Sequence, residues 1–207
     1  MNGPRIAVVD YGAGNLRSVV NALERLGTPV TITHDATVIE AADGVIVPGV
    51  GAAADTMRNL IAHDLPDVLR RVIGRGTPFL GICMGLQALM TLSEEGGDHP
   101  CLDVVPGRVV RLPDGLKVPH MGWNQVEQVR PHRLWQGIAN RERFYFVHSY
   151  YAAAAEPGDI AGATEYGIRF TSAAARANIF AVQFHPEKSA VAGLRLLENF
   201  MNWDGAA

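Results

Sequence analysis

The first half of the chain contains short apolar runs separated by longer segments in which apolar residues recur at helical spacing. The apolar runs have the length and composition of buried strands and cover residues 5–10, 29–33, 44–47 and 78–82. Helical spacing covers residues 16–26, ended by Gly27, and residues 52–73, with a break near Pro66. Strands and helices that alternate in this way predict a mostly parallel, open sheet with helices on both faces.

The pattern changes after Ser93 to short alternating segments divided by Gly and Pro. These segments predict strands at residues 102–105, 108–112, 116–119, 124–129, 144–152 and 159–164. An alternating run at residues 180–184 predicts one more strand, and apolar spacing over residues 190–202 predicts a closing helix. The C-terminal half is therefore expected to add antiparallel strands to the sheet.

Composition narrows the class of protein. A length of 207 residues with 48% hydrophobic residues favours a single domain, residues 1–207, with a sizeable core. A net charge of −3 gives no electrostatic reason to expect nucleic acid or a membrane surface as a partner. No apolar run approaches the roughly 20 residues of a spanning helix. Two cysteines, Cys83 and Cys101, are too few for a disulfide framework, so we expect a cytoplasmic protein in which Cys101 is structural.

Cys83 lies where a buried strand is predicted to run into a helix, with Gly81 before it and Gly85 after it. Leucines and a methionine within residues 86–92 continue at helical spacing. Unpaired N–H groups at a helix N-terminus favour a thiolate, and the glycines suit a sharp turn that exposes a nucleophile in a cleft. The alternative is an inert cysteine packed at the end of a strand.

His185 and Glu187 provide the candidate partners of that thiol. Residues two apart in an extended chain face the same side, and Pro186 between them disfavours a helical conformation for His185. A carboxylate beside an imidazole fixes its tautomer and leaves the other ring nitrogen free to exchange a proton with a thiol. The pattern alone also fits a surface ion pair, but together with Cys83 it predicts a Cys-His-Glu triad.

A second glycine-bearing loop, Gly49-Val50-Gly51, follows the predicted strand at residues 44–47. Loops at the carboxyl ends of parallel strands are where α/β proteins bind ligands. Opposite Cys83, backbone N–H groups of this loop and of Met84 could bind the oxyanion of a tetrahedral intermediate. The alternative is an ordinary turn from strand to helix.

Other patterns give weaker or negative indications. Gly12 and Gly14 suggest a dinucleotide loop, but Arg17 occupies the third glycine position and the fingerprint fails. The charged segment at residues 94–98 is expected to be a solvated loop without a functional role. Four histidines raise the possibility of zinc, but their spacing matches no compact ligand motif, so no metal is expected; they are His120, His132, His148 and His185.

The motifs together resemble a known family. GICMGLQ at residues 81–87 and FHPEKS at residues 184–189 are similar to the triad-type, class I glutamine amidotransferases, whose fold is flavodoxin-like. Three further segments resemble, within that family, the glutaminase subunits of imidazole glycerol phosphate synthase. They are VDYGAGNL at residues 9–16, PHMGWN at residues 119–124 and YFVHSY at residues 145–150.

The resemblance implies roles for individual residues. It makes Cys83, His185 and Glu187 the catalytic triad and places Gln87 and the Ser149-Tyr150 backbone against the glutamine substrate. It implies a surface for a partner subunit at Asn15, Trp123, Asn124, Tyr145 and Lys188. His148 is expected to be a positioned strand residue, not a second base.

The resemblance also implies the reaction. L-Glutamine is hydrolysed through a thioester to glutamate and ammonia, without a cofactor. Because free ammonia would be protonated in bulk water, a separate acceptor enzyme is expected. The resemblance implies that it is a (β/α)₈-barrel cyclase subunit, which forms imidazole glycerol phosphate and aminoimidazole carboxamide ribotide in histidine biosynthesis within a heterodimer. The alternatives are a triad glutaminase of pyridoxal phosphate or anthranilate synthesis, and a regulatory subunit without activity.

Overall fold

The first half of the chain alternates strands and helices. The computed structural model describes residues 4–206. The strands of this half are β1 (Ile6–Val9), β2 (Val30–Thr33), β3 (Gly44–Val47) and β4 (Phe79–Ile82). The helices are α1 (Leu16–Arg25), α2 (Ala36–Glu40), α3 (Ala53–Ala62), α4 (Leu65–Gly74) and α5 (Met84–Ala88).

The second half is rich in strands. They are β5 (Leu92–Ser93), β6 (His99–Pro100), β7 (Gly107–Arg111), β8 (His120–Gln128), β9 (Glu142–His148), β10 (Tyr150–Ala154), β11 (Ile160–Glu165), β12 (Arg169–Arg176) and β13 (Ile179–Val182). Single 3₁₀ turns occur at Arg133–Trp135, Pro157–Asp159 and Pro186–Lys188. Helix α6 (Ala190–Met201) follows the last of these turns.

The sheet has a parallel core and a large antiparallel extension. Its order is β2-β1-β3-β4-β13-β12-β10-β7-β5-β6, and the five strands from β2 to β13 are parallel to their neighbours. Strand β12 pairs antiparallel with β13, β10 and β11, and β11 leads through β8 to β9. The predicted fold class is confirmed, and the additions are extensive enough to make the whole sheet mixed.

Helices cover both faces of the parallel core. On one face, α1 and α6 pack against β1, β3, β4 and β13 through side chains such as Leu23 and Phe200. On the other face, α3 and α4 pack through side chains such as Leu60 and Leu69. All four of these side chains are almost fully buried. Each contributes on the order of 2 kcal/mol of transfer free energy, which fixes the carboxyl ends of the core strands in place.

The helix after Cys83 is much shorter than predicted. Helix α5 ends at Ala88, and Leu92 lies in β5, paired with β7. The segment at residues 102–105, predicted as a strand, instead donates its four backbone N–H groups to carbonyls of Ala88, Leu89 and Met90. These bonds satisfy the free carbonyls that follow a helix end, so a tertiary contact both stops the helix and prevents the strand.

Two predicted strands need correction, and other elements were not predicted. Residues 116–119 are not a strand, and the strand predicted at residues 144–152 is two strands, β9 and β10, separated at Ser149. Helix α2 was not predicted, although Asp35 caps it by accepting hydrogen bonds from Thr37 and Val38. Strand β12 was not predicted because its central residues are buried on both faces and lack alternation. Within residues 4–206, no helix is long and apolar enough to cross a membrane.

Candidate active site

Cys83 lies at a sharp corner between β4 and α5. Its backbone has φ 54° and ψ −100°, a conformation that L-residues rarely adopt. Its N–H donates to the carbonyl of Val182 on β13 at 2.7 Å, so the corner is tied to the neighbouring strand. Backbone strain of this kind occurs where the surrounding structure holds a functional residue in place.

The two glycines around Cys83 are required by close backbone packing. A Cβ atom on Gly85 would lie 1.9 Å from the carbonyl oxygen of Val47 on β3. A Cβ atom on Gly81 would lie 2.7 Å from the carbonyl oxygen of Gly85. Neither glycine has a positive φ, so their role here is space and not backbone freedom. Helix α5 therefore sits directly against two strand ends, which points Cys83 out of the corner.

His185 and Glu187 form a buried pair beyond the end of β13. His185 is extended, as predicted, but Glu187 lies in the 3₁₀ turn Pro186–Lys188, so the expected extended arrangement of the pair was wrong. The turn still brings Nδ1 of His185 within 2.8 Å of Oε1 of Glu187. Both side chains are almost completely buried, with 1% and 0% exposure. Their contact fixes the ring, because Glu187 accepts the Nδ1 hydrogen.

Neighbouring polar groups hold this pair. Asn15, in a left-handed conformation at φ 69°, donates from Nδ2 to Oε1 of Glu187 at 2.6 Å. The buried hydroxyl of Ser189 donates to the carbonyl of His185 at 2.6 Å and accepts the N–H of Tyr145 at 2.9 Å. The N–H of His185 donates to the carbonyl of Tyr145. The pair is therefore positioned by hydrogen bonds from α1, β9 and the start of α6.

The surroundings of His185 favour its charged form. Burial by itself lowers the pKa of an imidazole, but the interactions with Cys83 and Glu187 outweigh it and raise the pKa of His185 to about 9. Nε2 of His185 has no hydrogen-bond partner among the residues that the structure describes. The nitrogen opposite Glu187 is thus available for proton exchange at the thiol.

The loop Gly49-Val50-Gly51 lies against the same corner. The N–H of Met84 donates to the carbonyl of Gly49 at 3.4 Å. A Cβ atom on Gly49 would lie 2.1 Å from the hydroxyl oxygen of Tyr11, which donates to the carbonyl of Pro48. Gly51 has φ +109°, where glycine is strongly preferred. The loop is close enough to Cys83 for the predicted role, and one of the expected oxyanion donors, the Met84 N–H, is engaged by the loop itself.

A cavity of about 450 Å³ opens beside Cys83. Of the residues predicted to contact a substrate, all except Gly49 line it. The lining residues are Val50, Gly51, Cys83, Met84, Gln87, Glu95, Pro119, Val147, His148, Ser149, Tyr150 and Lys188. The cavity is large enough for an amino acid and offers both apolar walls and convergent polar groups.

Two polar residues near the cavity were not predicted as parts of the site. Glu95, expected in a solvated loop without a functional role, does lie in a turn, but it is only partly exposed: it lines the cavity, and its carboxylate accepts the N–H of Ala53 at the start of α3, at 2.7 Å. Gln183 is buried on the segment before His185, and its Nε2 lies 3.7 Å from the sulfur of Cys83. A buried polar residue within an apolar run was the available signal for Gln183. Nothing in the local sequence distinguishes Glu95 from its exposed neighbour Glu94.

The residues expected at a partner surface fall in two places. Trp123 on β8 and Tyr145 on β9 are paired in register, with ring centroids 6.1 Å apart, and Trp123 is 48% exposed. Asn124 also lies on β8, but its amide is bound to His120 and to the carbonyl of Glu165. Asn15 and Lys188 lie closer to Cys83, the first bound to Glu187 and the second among the residues that line the cavity.

The histidines that raised the question of zinc are not grouped around a site. His132 packs against Phe180 and Trp203, while His120 and His148 bond to each other. Within residues 4–206, no cluster of three or more His, Cys, Asp or Glu side chains is placed to hold a metal ion.

The chain belongs to the glutamine amidotransferase class-I family, whose model matches residues 7–203. Within that family it is similar to proteins named imidazole glycerol phosphate synthase subunit HisH. It is 56% identical to the one from Moorella thermoacetica, over 94% of this chain and 93% of the relative. It is 53% identical to the one from Aromatoleum aromaticum, over 96% of this chain and 98% of the relative. The resemblance inferred from the motifs is confirmed.

Solved structures support the fold. A structure described as PurLQS from Thermotoga maritima has a TM-score of 0.76 at 16% identity, covering 97% of this chain and 98% of that chain. A structure described as glutamine amidotransferase has a TM-score of 0.76 at 21% identity, covering 97% and 99%. At these identities the similarity establishes a shared architecture.

Proposed function

We propose that this protein is the glutaminase subunit of an imidazole glycerol phosphate synthase, hydrolysing L-glutamine and passing ammonia to a separate cyclase subunit in histidine biosynthesis. The observation that carries the chemistry is the corner at which Cys83 meets the buried His185–Glu187 pair. The assignment to histidine biosynthesis is supported by similarity over nearly the full length, at about 50% identity, to relatives named HisH. Fold alone would not distinguish pathways within this family.

In the proposed mechanism, the sulfur of Cys83 attacks the carboxamide carbon of glutamine and forms a tetrahedral oxyanion. His185 then gives a proton from Nε2 to the departing nitrogen, so ammonia leaves and a thioester remains. A water molecule attacks the thioester while His185 accepts its proton, and glutamate is released. Glu187 keeps the ring oriented and stabilises the imidazolium.

The cavity has groups for both ends of an amino acid. Glu95 supplies a carboxylate for the α-ammonium group. The Leu112 N–H bonds to the Ser149 carbonyl, so the Tyr150 backbone groups point away from β7, and both residues line the cavity. We assign the Ser149-Tyr150 backbone to the α-amino and α-carboxylate groups of the substrate.

The loop at Gly49 supports a second part of the proposal, in which it switches the glutaminase. The Met84 N–H must leave the Gly49 carbonyl before it can donate to an oxyanion. A peptide flip in the loop would release the Met84 N–H when the partner subunit has bound its own ligand. Gly51→Ala is the appropriate test, because its Cβ meets no atom of residues 4–206 within 4 Å and the change acts through the positive φ of the loop, whereas a Cβ on Gly49 collides with Tyr11. Unchanged stimulation by the partner in Gly51→Ala would contradict the switch.

The partner surface is proposed on the β8–β9 hairpin. Met121 is 61% exposed and Trp123 48% exposed on β8, and Val191, which is 81% exposed, lines the same shallow depression as Trp123. Exposed apolar groups gathered in this way mark protein interfaces. We propose that a (β/α)₈-barrel cyclase with lyase activity binds here as a heterodimer, with Tyr145 and Asn124 contributing. Asn15 and Lys188 would then lie at the edge nearest the active site.

Two broader assignments belong to the same proposal. The described strands form one connected sheet, which supports a single amidotransferase domain over residues 1–207. Cys83 and Cys101 are both free thiols, which suits the reducing cytoplasm.

The direct test is glutaminase activity of the purified protein, alone and with a barrel cyclase subunit and its ribonucleotide ligand. We expect the partner to stimulate release of glutamate, and Cys83→Ala to abolish it. Activity that is indifferent to the cyclase would retain the triad chemistry and contradict the pathway. In that case the glutaminases of pyridoxal phosphate or anthranilate synthesis become the alternative. Failure of a glutamine-derived alkylating agent to modify Cys83 would contradict the enzyme itself.

A further inference from the structure

Two buried histidines that the proposed mechanism does not use connect β8 to the glutamine cavity. His120 on β8 is 4% exposed, and His148 at the end of β9 is 6% exposed. Nδ1 of His120 lies 2.9 Å from Nε2 of His148, and Nδ1 of His148 lies 3.0 Å from the carbonyl oxygen of Tyr150. Nε2 of His120 lies 3.3 Å from Nδ2 of Asn124. All four ring nitrogens therefore have partners.

These contacts are compatible with only one arrangement of hydrogens on two neutral rings. The carbonyl of Tyr150 only accepts, so Nδ1 of His148 must carry a hydrogen and its Nε2 must accept. His120 then donates from Nδ1, and its Nε2 accepts from the amide of Asn124. Burial lowers the pKa of His120 to about 4 and that of His148 to about 3, so both rings stay neutral at physiological pH.

The chain of hydrogen bonds continues from Tyr150 to the nucleophile. Nε2 of Gln87 donates to the Tyr150 carbonyl at 2.8 Å and to Oε1 of Gln183 at 3.1 Å. Gln183 consequently points its own Nε2 at the sulfur of Cys83. Because both N–H groups of the Gln87 amide are used by the protein, its oxygen is the atom left for a ligand. That oxygen accepts from an amide or ammonium group and repels a carboxylate.

We propose that His120 and His148 are positioning residues, which act through the Tyr150 carbonyl to hold the Gln87 amide with its oxygen toward the glutamine cavity. The inference rests on the proposed function, since it concerns how that site selects glutamine over glutamate. It also makes β8, which carries Met121 and Trp123 on its surface, the far end of a hydrogen-bonded chain that reaches Cys83.

The test compares two replacements of His120, which lies outside the cavity. His120→Gln retains one donor and one acceptor, whereas His120→Phe retains an aromatic ring between Phe146 and Tyr166, on which His120 stacks at 4.9 and 4.0 Å. We expect kcat/KM for glutamine to fall about tenfold in His120→Phe, mainly through KM, and to stay within about threefold in His120→Gln. Glutamate should also become a relatively stronger competitive inhibitor of His120→Phe, because Gln87 is free to turn.

The control is His132→Phe, which changes another partly buried histidine of lowered pKa that packs on aromatic rings away from the cavity. Its KM and its selectivity against glutamate should match the wild-type protein. If His120→Phe is as active and as selective as His120→Gln, the pair serves packing and the inference is overturned. Inactivity of the wild-type protein, with and without the cyclase, would instead contradict the proposed function.

A measurement on the unaltered protein covers the case in which His120→Phe does not fold. Nitrogen-15 NMR of the imidazoles at pH 7 should show both His120 and His148 neutral and protonated on Nδ1. Nε2 protonation of either ring, or a charged ring, would break the hydrogen-bond direction and overturn the inference without reference to activity.

Discussion

The two halves of the candidate active site are positioned in different ways. The corner at Cys83 is shaped by backbone contact, with Gly85 pressed against the carbonyl of Val47 and Gly81 against Gly85. The corner at His185 and Glu187 is held by side-chain hydrogen bonds, from Asn15 to the carboxylate and from Ser189 to the backbone. The corner at Cys83 depends on glycines that lack a Cβ atom, whereas the arrangement of His185 and Glu187 depends on polar side chains that form hydrogen bonds.

This difference predicts different failures. Adding a methyl group at the first corner displaces a strand or a helix, so stability and activity should fall together. Changing polarity at the second corner leaves the packing in place, so activity should fall more than stability. Four measurements, ordered from the largest expected effect to the smallest, test that separation.

Gly85→Ala should have the largest effect, since its Cβ would lie 1.9 Å from the Val47 carbonyl oxygen. We expect the free energy of unfolding to fall by at least about 3 kcal/mol and glutaminase activity to be lost. Urea denaturation and a glutamate-release assay measure both. The matched control is Gly74→Ala at the end of α4, where the Cβ meets no atom within 4 Å in the described chain. A stable, active Gly85→Ala protein would refute backbone packing as the determinant of this corner.

Glu187→Gln should reduce kcat by about a hundredfold or more while changing stability much less than Gly85→Ala does. The neutral amide keeps the shape of the carboxylate but removes the charge that favours the imidazolium of His185. Steady-state release of ammonia at saturating glutamine is the measurement. A kcat within threefold of the wild-type value would show that His185 does not depend on Glu187.

The stability of the wild-type protein should depend on pH through His185. Its folded pKa of about 9 lies above the ordinary value of 6.5, so the stabilisation is complete below pH 6.5 and is lost as the pH rises through 9. We expect the free energy of unfolding to fall on the order of 2 kcal/mol between pH 6.5 and 9. Urea denaturation at intervals of pH measures this, and Glu187→Gln should flatten the curve. An equally steep curve in that variant would exclude the pair as its source.

Asn15→Ala should have the smallest effect of the four. Removing one hydrogen bond to the Glu187 carboxylate should lower kcat about tenfold and leave KM for glutamine near its wild-type value. Steady-state kinetics separate the two constants. If KM rises while kcat is unchanged, Asn15 serves the substrate cavity or the partner surface and not the orientation of Glu187.

The sequence predicted the parts of the molecule whose cause is local. The apolar runs of the core strands and the glycines beside Cys83 are visible in the chain itself. What it could not show depends on distant partners. Helix α5 stops at Ala88 because residues 102–105 donate to its free carbonyls, and Glu95 faces the cavity because it bonds to Ala53. Neither contact has a periodic or compositional signature.

The same contrast applies within the candidate site. Cys83, His185 and Glu187 could be selected from their spacing and from the chemistry of their neighbours. The contacts of Asn15 and Gln183 are visible only in the three-dimensional structure. Asn15 is 172 residues from its partner Glu187 in the sequence, and Gln183 is 100 residues from Cys83. The 3₁₀ turn after His185 could not be predicted from the sequence either, since proline after a histidine is equally compatible with an extended chain.

The bond between Glu95 and Ala53 has a consequence for observing the protein at work. The carboxylate that faces the cavity is also the acceptor for the first N–H of α3. A ligand ammonium group that draws the carboxylate inward would leave that turn without its acceptor. Deuterium would then enter the first amides of α3 faster when the cavity is filled. Hydrogen exchange at the first turn of α3, measured by mass spectrometry, would therefore report whether a ligand fills the cavity, and it could be followed in the Cys83→Ala protein, which we expect to be inactive.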